Sequence, residues 1–315
     1  MTVFPKNARV VFIGDSITAG ANFTARVAAY YVRHLPDLSV TFKNAGVSGG
    51  SAASAMLYYD ASVASFAPTH ALIMLGVNDS DRDALNLTDE SKKNERLDAA
   101  HTRYVTRMNE LLDRLEQDGV AVTLCTPAPY AEYFVTDQTP LPGGYALIRR
   151  YAETVRSMAH ERGLPLVDFH AALSEYYLCE TIYNPDHVHP NDRGHHLMAG
   201  CILSSQGLTP EPYKVLSEEL SDLPLLAEWN SLAGKITSIY AVEWMVVCNF
   251  DLPRCEKLEL VQKTIDDGKW NGIPYFQAIT TNYMMYKPLE EDMLARMDAI
   301  WGEIYADCSK QRRQS

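Results

Sequence analysis

Val10-Val11-Phe12-Ile13-Gly14-Asp15-Ser16-Ile17-Thr18-Ala19-Gly20 decides how the rest of this 315-residue chain is read. Four consecutive apolar residues, three of them β-branched, predict a short strand buried on both faces. Gly14 ends that strand, and Gly20 lies beyond the turn that follows. Ser16 stands between them, just past the strand's carboxyl end, where open parallel sheets bind their ligands. A serine at this point is either a polar cap for the next helix, a position that Asp and Ser favour, or a nucleophile. The stretch alone leaves both readings open.

Working outward, the far end of the same predicted domain reads Asn184-Pro185-Asp186-His187-Val188-His189-Pro190-Asn191-Asp192-Arg193-Gly194-His195. A serine hydroxyl is a weak nucleophile until a base takes its proton, and the base needs a third group to fix its tautomer. Asp186 and His189 are three residues apart, so one turn of chain can set the carboxylate against the imidazole Nδ1. Pro185 and Pro190 restrict the backbone on either side. The competing reading is a surface loop of turn formers with solvated histidines.

Two small-residue turns lie between these ends. Asn44-Ala45-Gly46-Val47-Ser48-Gly49-Gly50-Ser51 follows a strand predicted at 39–43, and Gly76-Val77-Asn78-Asp79 follows another at 70–75. Acyl transfer needs donors aimed at the oxygen on which charge develops, and losing one such donor costs about 2.7–4 kcal/mol of barrier. A backbone N–H freed by a glycine turn and an asparagine amide are suitable donors. Taken separately, each turn reads as ordinary loop chemistry.

Together and in this order, the four segments resemble the blocks of the SGNH (GDSL-type) hydrolase superfamily, named for a Ser, a Gly, an Asn and a His. Gly14-Asp15-Ser16-Ile17 matches the first block, with Ile17 where many members have Leu. The resemblance implies Ser16 as nucleophile, Asp186 as the orienting acid and His189 as the base. It also implies an oxyanion hole built from the Ser16 and Gly49 backbone N–H groups and the Asn78 side chain, with Gly49 preferred over Gly46. It covers the chain to about residue 205, and it implies ester hydrolysis through an acyl-enzyme with no cofactor.

The alternation of elements agrees with that fold. Strands are expected near 9–13, 39–43, 70–75, 120–125 and 165–169, with helices at 21–35, around 53–57, at 96–118, 145–162 and 192–204. Residues 79–94 read as loop with a turn of helix, and the aromatic, proline- and glycine-rich stretch 126–144 as loop. Strand and helix repeated five times predict a doubly wound α/β sheet sandwiched by helices, in flavodoxin-like order 2-1-3-4-5, which sets Ser16 beside Asn78. The hydrolase domain is expected over 1–206 and a connector over 207–224. A C-terminal helical extension follows over 225–315, with helices at 225–247, 254–267 and 289–308, serving as packing on the core, an oligomer surface or a cleft wall.

Composition narrows the partners. A net charge of −12 disfavours nucleic acid and anionic membrane surfaces. The six cysteines have no metal-ligand spacing, and free thiols suit a reducing compartment. His187, His189, His195 and His196 complete no metal-ligand set with nearby carboxylates or cysteines. Asp15 is expected to cap the turn, Asp79 to form one, and Tyr58 and Tyr59 to be partly buried wall residues. With no secretory signal or membrane span read in the chain, a cytoplasmic location is expected. No long apolar lid is visible, so the substrate expected is a short acyl ester of a polar alcohol such as a carbohydrate, with acetyl the acyl group that the family resemblance implies. A lysophospholipase or thioesterase acting on longer chains is the alternative, and an inactive binding module is the non-enzymatic one.

Overall fold

Strand β1 (Arg9–Gly14) forms where the apolar run predicts it, and Val10, Val11, Phe12 and Ile13 are all buried. In the computed structural model, which describes residues 1–133, 136–176, 181–247, 263, 266–267 and 274–314, β1 lies inside a five-stranded parallel sheet. Its companions are β2 (Thr41–Gly46), β3 (His70–Met74), β4 (Ala121–Cys125) and β5 (Leu166–Val167). The order is β2-β1-β3-β4-β5, and every pairing is parallel. Gly14 faces Gly46 on one side and Met74 on the other, so the turns leaving β1, β2 and β3 start at one level. The connection leaving β1 leads to β2 on one side, and the chain then crosses to β3 on the other, so the connections part at this point and open a crevice there.

The second strand lies further along than expected, at Thr41–Gly46 instead of 39–43. Asn44 and Gly46 read as turn formers because their partners are distant. The Asn44 amide donates to Thr18 O at 2.7 Å, and its Oδ1 accepts from Gly46 N at 2.8 Å, so a buried polar side chain is satisfied within a strand. A Cβ on Gly46 would stand 2.4 Å from Ala19 N, so the strand end must be glycine for the turn after β1 to approach it.

The fifth strand is shorter than expected because Asp168 leaves the ladder. Its carboxylate accepts from Ala171 N at 3.0 Å and pairs with Arg156 at 2.7 Å, opening a helix that the sequence reading missed, α6 (Phe169–Tyr176). Between them run α1 (Ser16–Ala19), α2 (Asn22–His34), α3 (Ala52–Tyr58), α4 (Glu90–Gln117) and α5 (Gly144–Arg162). Helix α4 begins six residues before the expected start at 96, inside the stretch read as loop. Its first turns are exposed and carry no apolar period, while Asp89 caps them by accepting from Ser91 N and Lys92 N. Short 3₁₀ turns at Asn78–Ser80 and Arg82–Asn86 fill the rest of that stretch.

Helix α7 (Asp192–Ser205) closes the sandwich and holds the connector to it. Arg26 on α2, only 2% exposed, makes two 2.8 Å bonds to Asp192, a third at 2.9 Å to Lys214 O and an ion pair with Glu219. Glu219 ends α8 (Leu216–Glu219), a turn of helix within the connector.

Helices α9 (Pro224–Val247), α10 (Pro274–Tyr286) and α11 (Glu290–Gln314) follow. Helix α10 falls between the helices expected at 254–267 and 289–308; of the first of these only residues 263, 266 and 267 are among the described residues, and Trp270 is not. Helices α9 and α11 close the exposed edge of β2, a strand edge that would otherwise invite pairing with another chain. Trp301 Nε1 donates to Phe42 O at 3.2 Å, and the Tyr305 hydroxyl donates to Val40 O. The Trp301 ring stands 5.7 Å from Phe42 and 5.3 Å from Trp229, so one apolar cluster runs from the sheet into the extension. Among the described residues no helix is long and apolar enough to cross a membrane.

Trp301→Ala removes both the ring packing and the bond to the edge strand. It is expected to lower the unfolding free energy by about 3–5 kcal/mol, read from urea denaturation. A loss no larger than that of an exposed surface substitution would show that the extension does not support β2.

Candidate active site

The sharp exit from β1 builds the site. A Cβ on Gly14 would lie 2.2 Å from Thr18 Oγ1 and 2.9 Å from Met74 O, so only glycine lets the chain turn here. Asp15 caps α1, its Oδ1 accepting from Ile17 N at 2.9 Å, and this fixes Ser16 as the first helical residue at the rim of the sheet. Thr237 on α9 donates to Ala19 O at 3.3 Å and supports the other end of the same short helix.

Ser16 Oγ lies 2.7 Å from His189 Nε2, and His189 Nδ1 lies 2.7 Å from Asp186 Oδ2. With Nδ1 donating to the carboxylate, Nε2 is left to accept the serine proton. Asp186 Oδ1 accepts from His189 N at 2.9 Å and from Val188 N at 3.0 Å. Burial works to raise this carboxyl, but those two N–H groups and the imidazole outweigh it and hold it below its ordinary value.

The loop carrying these groups is fastened by His187, for which the sequence offered a solvated loop histidine or a metal ligand. His187 is buried with φ +63°, its Nδ1 is 3.0 Å from Ala131 O, and its Nε2 is 3.1 Å from both Gln138 O and Thr136 Oγ1. It thereby ties the aromatic loop after β4 to the loop holding His189. In that aromatic loop Tyr130 is buried and accepts from Leu141 N, Tyr133 is exposed, and Phe134 lies outside the described residues. Glu132 caps α5, accepting from Gly143 N at 2.8 Å and Tyr145 N at 3.0 Å.

Gly49 and Asn78 reach the same rim. Gly49 is exposed at φ +75°, a left-handed turn that suits glycine. Gly46 N–H is already taken by Asn44 Oδ1. Asn78 Nδ2 donates to Gly50 O at 2.9 Å, and an amide nitrogen carries a second hydrogen.

Two acids lie beneath. Asp15 is 1% exposed, and burial pushes its carboxyl up to about 6; Asp79, shielded around its carboxyl, is pushed up to about 7 by burial. Asp79 does more than shape a turn, since its Oδ1 accepts from Ala52 N at 3.0 Å. Tyr58 and Tyr59 are fully buried and do not form a partly open wall: Tyr58 packs on Tyr240, and the Tyr59 hydroxyl donates to Asp118 at 2.7 Å. His195 stacks on Phe23 and His196 meets the Tyr213 ring edge-on. Among the described residues no group of three or more His, Cys, Asp or Glu side chains could hold a metal ion.

The model of the GDSL-like lipase/acylhydrolase family matches residues 12–197. An acetylxylan esterase from Geobacillus stearothermophilus is 26% identical over 218 residues, covering 63% of this chain and 94% of that protein. A crystal structure of an acetylxylan esterase from the same organism aligns with a TM-score of 0.54 at 24% identity, over 67% of this chain and 99% of that one. A gut microbial diltiazem-metabolizing enzyme aligns with a TM-score of 0.75 at 16% identity, over 97% of this chain and 96% of the other. At these identities the two structures speak to the fold, and the second shares it across the C-terminal helices.

The cap on the nucleophile turn gives a pH-dependent expectation. The Asp15 carboxyl titrates higher in the fold than in the unfolded chain, so its contribution to stability is full at low pH and is lost as pH rises through about 6. Asp15→Asn keeps an acceptor for Ile17 N without the charge. Its melting temperature relative to the wild type is expected to rise between pH 4 and pH 8; a constant difference would contradict the assignment.

Proposed function

Because this chain belongs to the GDSL-like lipase/acylhydrolase family and is a serine carboxylic ester hydrolase, we propose that it removes a short acyl group, acetyl, from a polar alcohol such as a carbohydrate. Ser16 is the nucleophile, His189 the base and Asp186 the group that orients the base. The observation that carries this reading is the 2.7 Å contact between Ser16 Oγ and His189 Nε2, side chains separated by 173 positions in the chain.

The steps follow from the geometry. Ser16 Oγ attacks the ester carbonyl as its proton passes to His189 Nε2, and Asp186 stabilises the imidazolium that forms. The oxyanion is met by the Ser16 and Gly49 backbone N–H groups and by the second N–H of Asn78. His189 returns the proton to the departing alcohol, leaving an acyl-enzyme. Water then attacks the acyl carbonyl as its proton passes to the same nitrogen, the bond to Ser16 Oγ breaks, and His189 returns the proton to Ser16 as the acid leaves. The chemistry calls for no cofactor.

The name of the Geobacillus relative, acetylxylan esterase, supports acetyl as the acyl group and an oligosaccharide as the alcohol. The −12 charge argues against nucleic acid or an anionic membrane as partner. Among the described residues, Cys125 and Cys201 are in no disulfide, in keeping with a reducing, cytoplasmic setting. On this reading residues 1–206 form the hydrolase unit, 207–224 the connector, and 225–315 the helical extension.

A series of p-nitrophenyl esters assayed beside Ser16→Ala checks both parts. Turnover is expected to peak at acetate and to fall by about 10³-fold or more in the variant. A peak at eight carbons or longer would assign the long-chain reading instead. Undiminished turnover in Ser16→Ala would remove Ser16 from the chemistry.

A further inference from the structure

The segment bearing Gly49 and the turn bearing Asn78 come from different strand ends, β2 and β3, and neither belongs to an element that fixes it against the other. Two hydrogen bonds do so. Asn78 Nδ2 donates to Gly50 O at 2.9 Å, and Ala52 N donates to Asp79 Oδ1 at 3.0 Å. The bonds run in opposite directions between adjacent residues on one side, Asn78 and Asp79, and residues two apart on the other, Gly50 and Ala52.

From this clasp we infer that Asp79 is the positioning residue of the oxyanion hole, holding the Gly49 N–H and the Asn78 amide at a fixed separation. The inference rests on the proposed roles of Gly49 and Asn78.

The surroundings show how much depends on the Asp79 bond. Ala52 is fully buried at the first position of α3, where helix N–H groups have no partner within the helix. Ser51 and Ser54 form a capping box, in which Ser51 Oγ accepts from Ser54 N and Ser54 Oγ accepts from Ser51 N, and neither serves Ala52. Asp79 supplies that acceptor. Upstream, Val47 N donates to Gly14 O at 3.0 Å and Gly50 N to Val47 O at 2.7 Å, so the segment is tied to the nucleophile turn at its start. Its far end is tied to the Asn78 turn by the bonds at Gly50 O and Ala52 N. The turn side is equally anchored, since the Tyr151 hydroxyl donates to Asp79 O at 3.1 Å.

The carboxyl is suited to accept and not to act as an acid in the reaction. Its Oδ2 is shielded from solvent and meets no hydrogen-bond partner among the described residues. Burial pushes it up to about 7, so the surroundings already favour an uncharged acceptor here. An amide in its place keeps the bond to Ala52 N.

Oxyanion donors act only at the transition state, so displacing them lowers kcat without weakening substrate binding in proportion. A misplacement of about 1 Å can cost about 10²-fold in rate. The test compares Asp79→Ala, Asp79→Asn and Ala52→Pro on an acetyl ester, with Ser16→Ala in the same assay. Proline is accepted at the first position of a helix; it removes the N–H and turns its ring Cδ toward Asp79 Oδ1, so it breaks the bond from the α3 side, and Ser51, at φ −132° and ψ 173°, already has the extended backbone that precedes proline.

Asp79→Ala and Ala52→Pro are each expected to lower kcat by about 10- to 100-fold with KM changed by less than about threefold. Asp79→Asn is expected to recover most of that loss, and the double variant Asp79→Ala/Ala52→Pro to lose no more than either single one. If Asp79→Ala fails to fold, Ala52→Pro carries the comparison. Wild-type kcat in Ala52→Pro, or an effect confined to KM, with Ser16→Ala inactive, would overturn the positioning role and leave the nucleophile assignment standing. Turnover retained in Ser16→Ala would instead overturn the reading of the site itself.

Discussion

The hydrogen bond between Ser16 Oγ and His189 Nε2 spans 173 residues of chain, and the rest of the molecule can be understood as the means of making it short. Its two ends belong to loops that leave the sheet at its carboxyl rim. Strand β1 has β2 on one side and β3 on the other, so the connections diverge there and leave an open crevice. The order of strands thus brings Ser16, Gly49 and Asn78 to one rim, and α7 carries the Asp186–His189 loop back to meet them. A serine hydroxyl alone would be unreactive, and an imidazole alone would be free to turn. The hydrogen bonds to Asp186 and the fastening by His187 remove that freedom before any substrate arrives.

Holding such a rim together takes polar side chains inside an apolar sandwich. Asn44 bonds Thr18 O and Gly46 N, Asp15 accepts from Ile17 N, Asp79 accepts from Ala52 N, and Arg26 joins α2 to α7 and the connector. Each is a buried polar group that would be costly without its partner. Each also ties together segments distant in sequence, or sharpens a turn that apolar packing alone would leave loose. The C-terminal helices play the complementary part. They cover the edge of β2 with Trp301 and Tyr305 and reach under α1 with Thr237, which makes the sheet and the extension share one core.

Much of this was legible from the residues because the signals are local. The apolar runs of β1 and β3, the glycine turn before Ser16 and the Asp-x-x-His spacing all act within a few positions, and the sheet order followed from the alternation of elements. What escaped was set by distant partners. Strand β2 continues through Asn44 because Thr18 lies across from it, and α6 exists because Asp168 turns from the sheet to cap it. The first turns of α4 are solvated on every side and so carry no period. His187 and Asp79 looked like a stray histidine and a turn former, since nothing near them in sequence names Ala131 or Ala52 as the groups they hold.

The central claim is that His189 activates Ser16. A fluorophosphonate reports this directly, because it reacts with an activated serine hydroxyl and leaves a stable adduct on the residue that attacked it. Labelling followed by peptide mass analysis is expected to place the adduct on Ser16 in the wild type and to lose it in His189→Ala. An adduct on another residue, or equal labelling of Ser16 without the imidazole, would contradict the account.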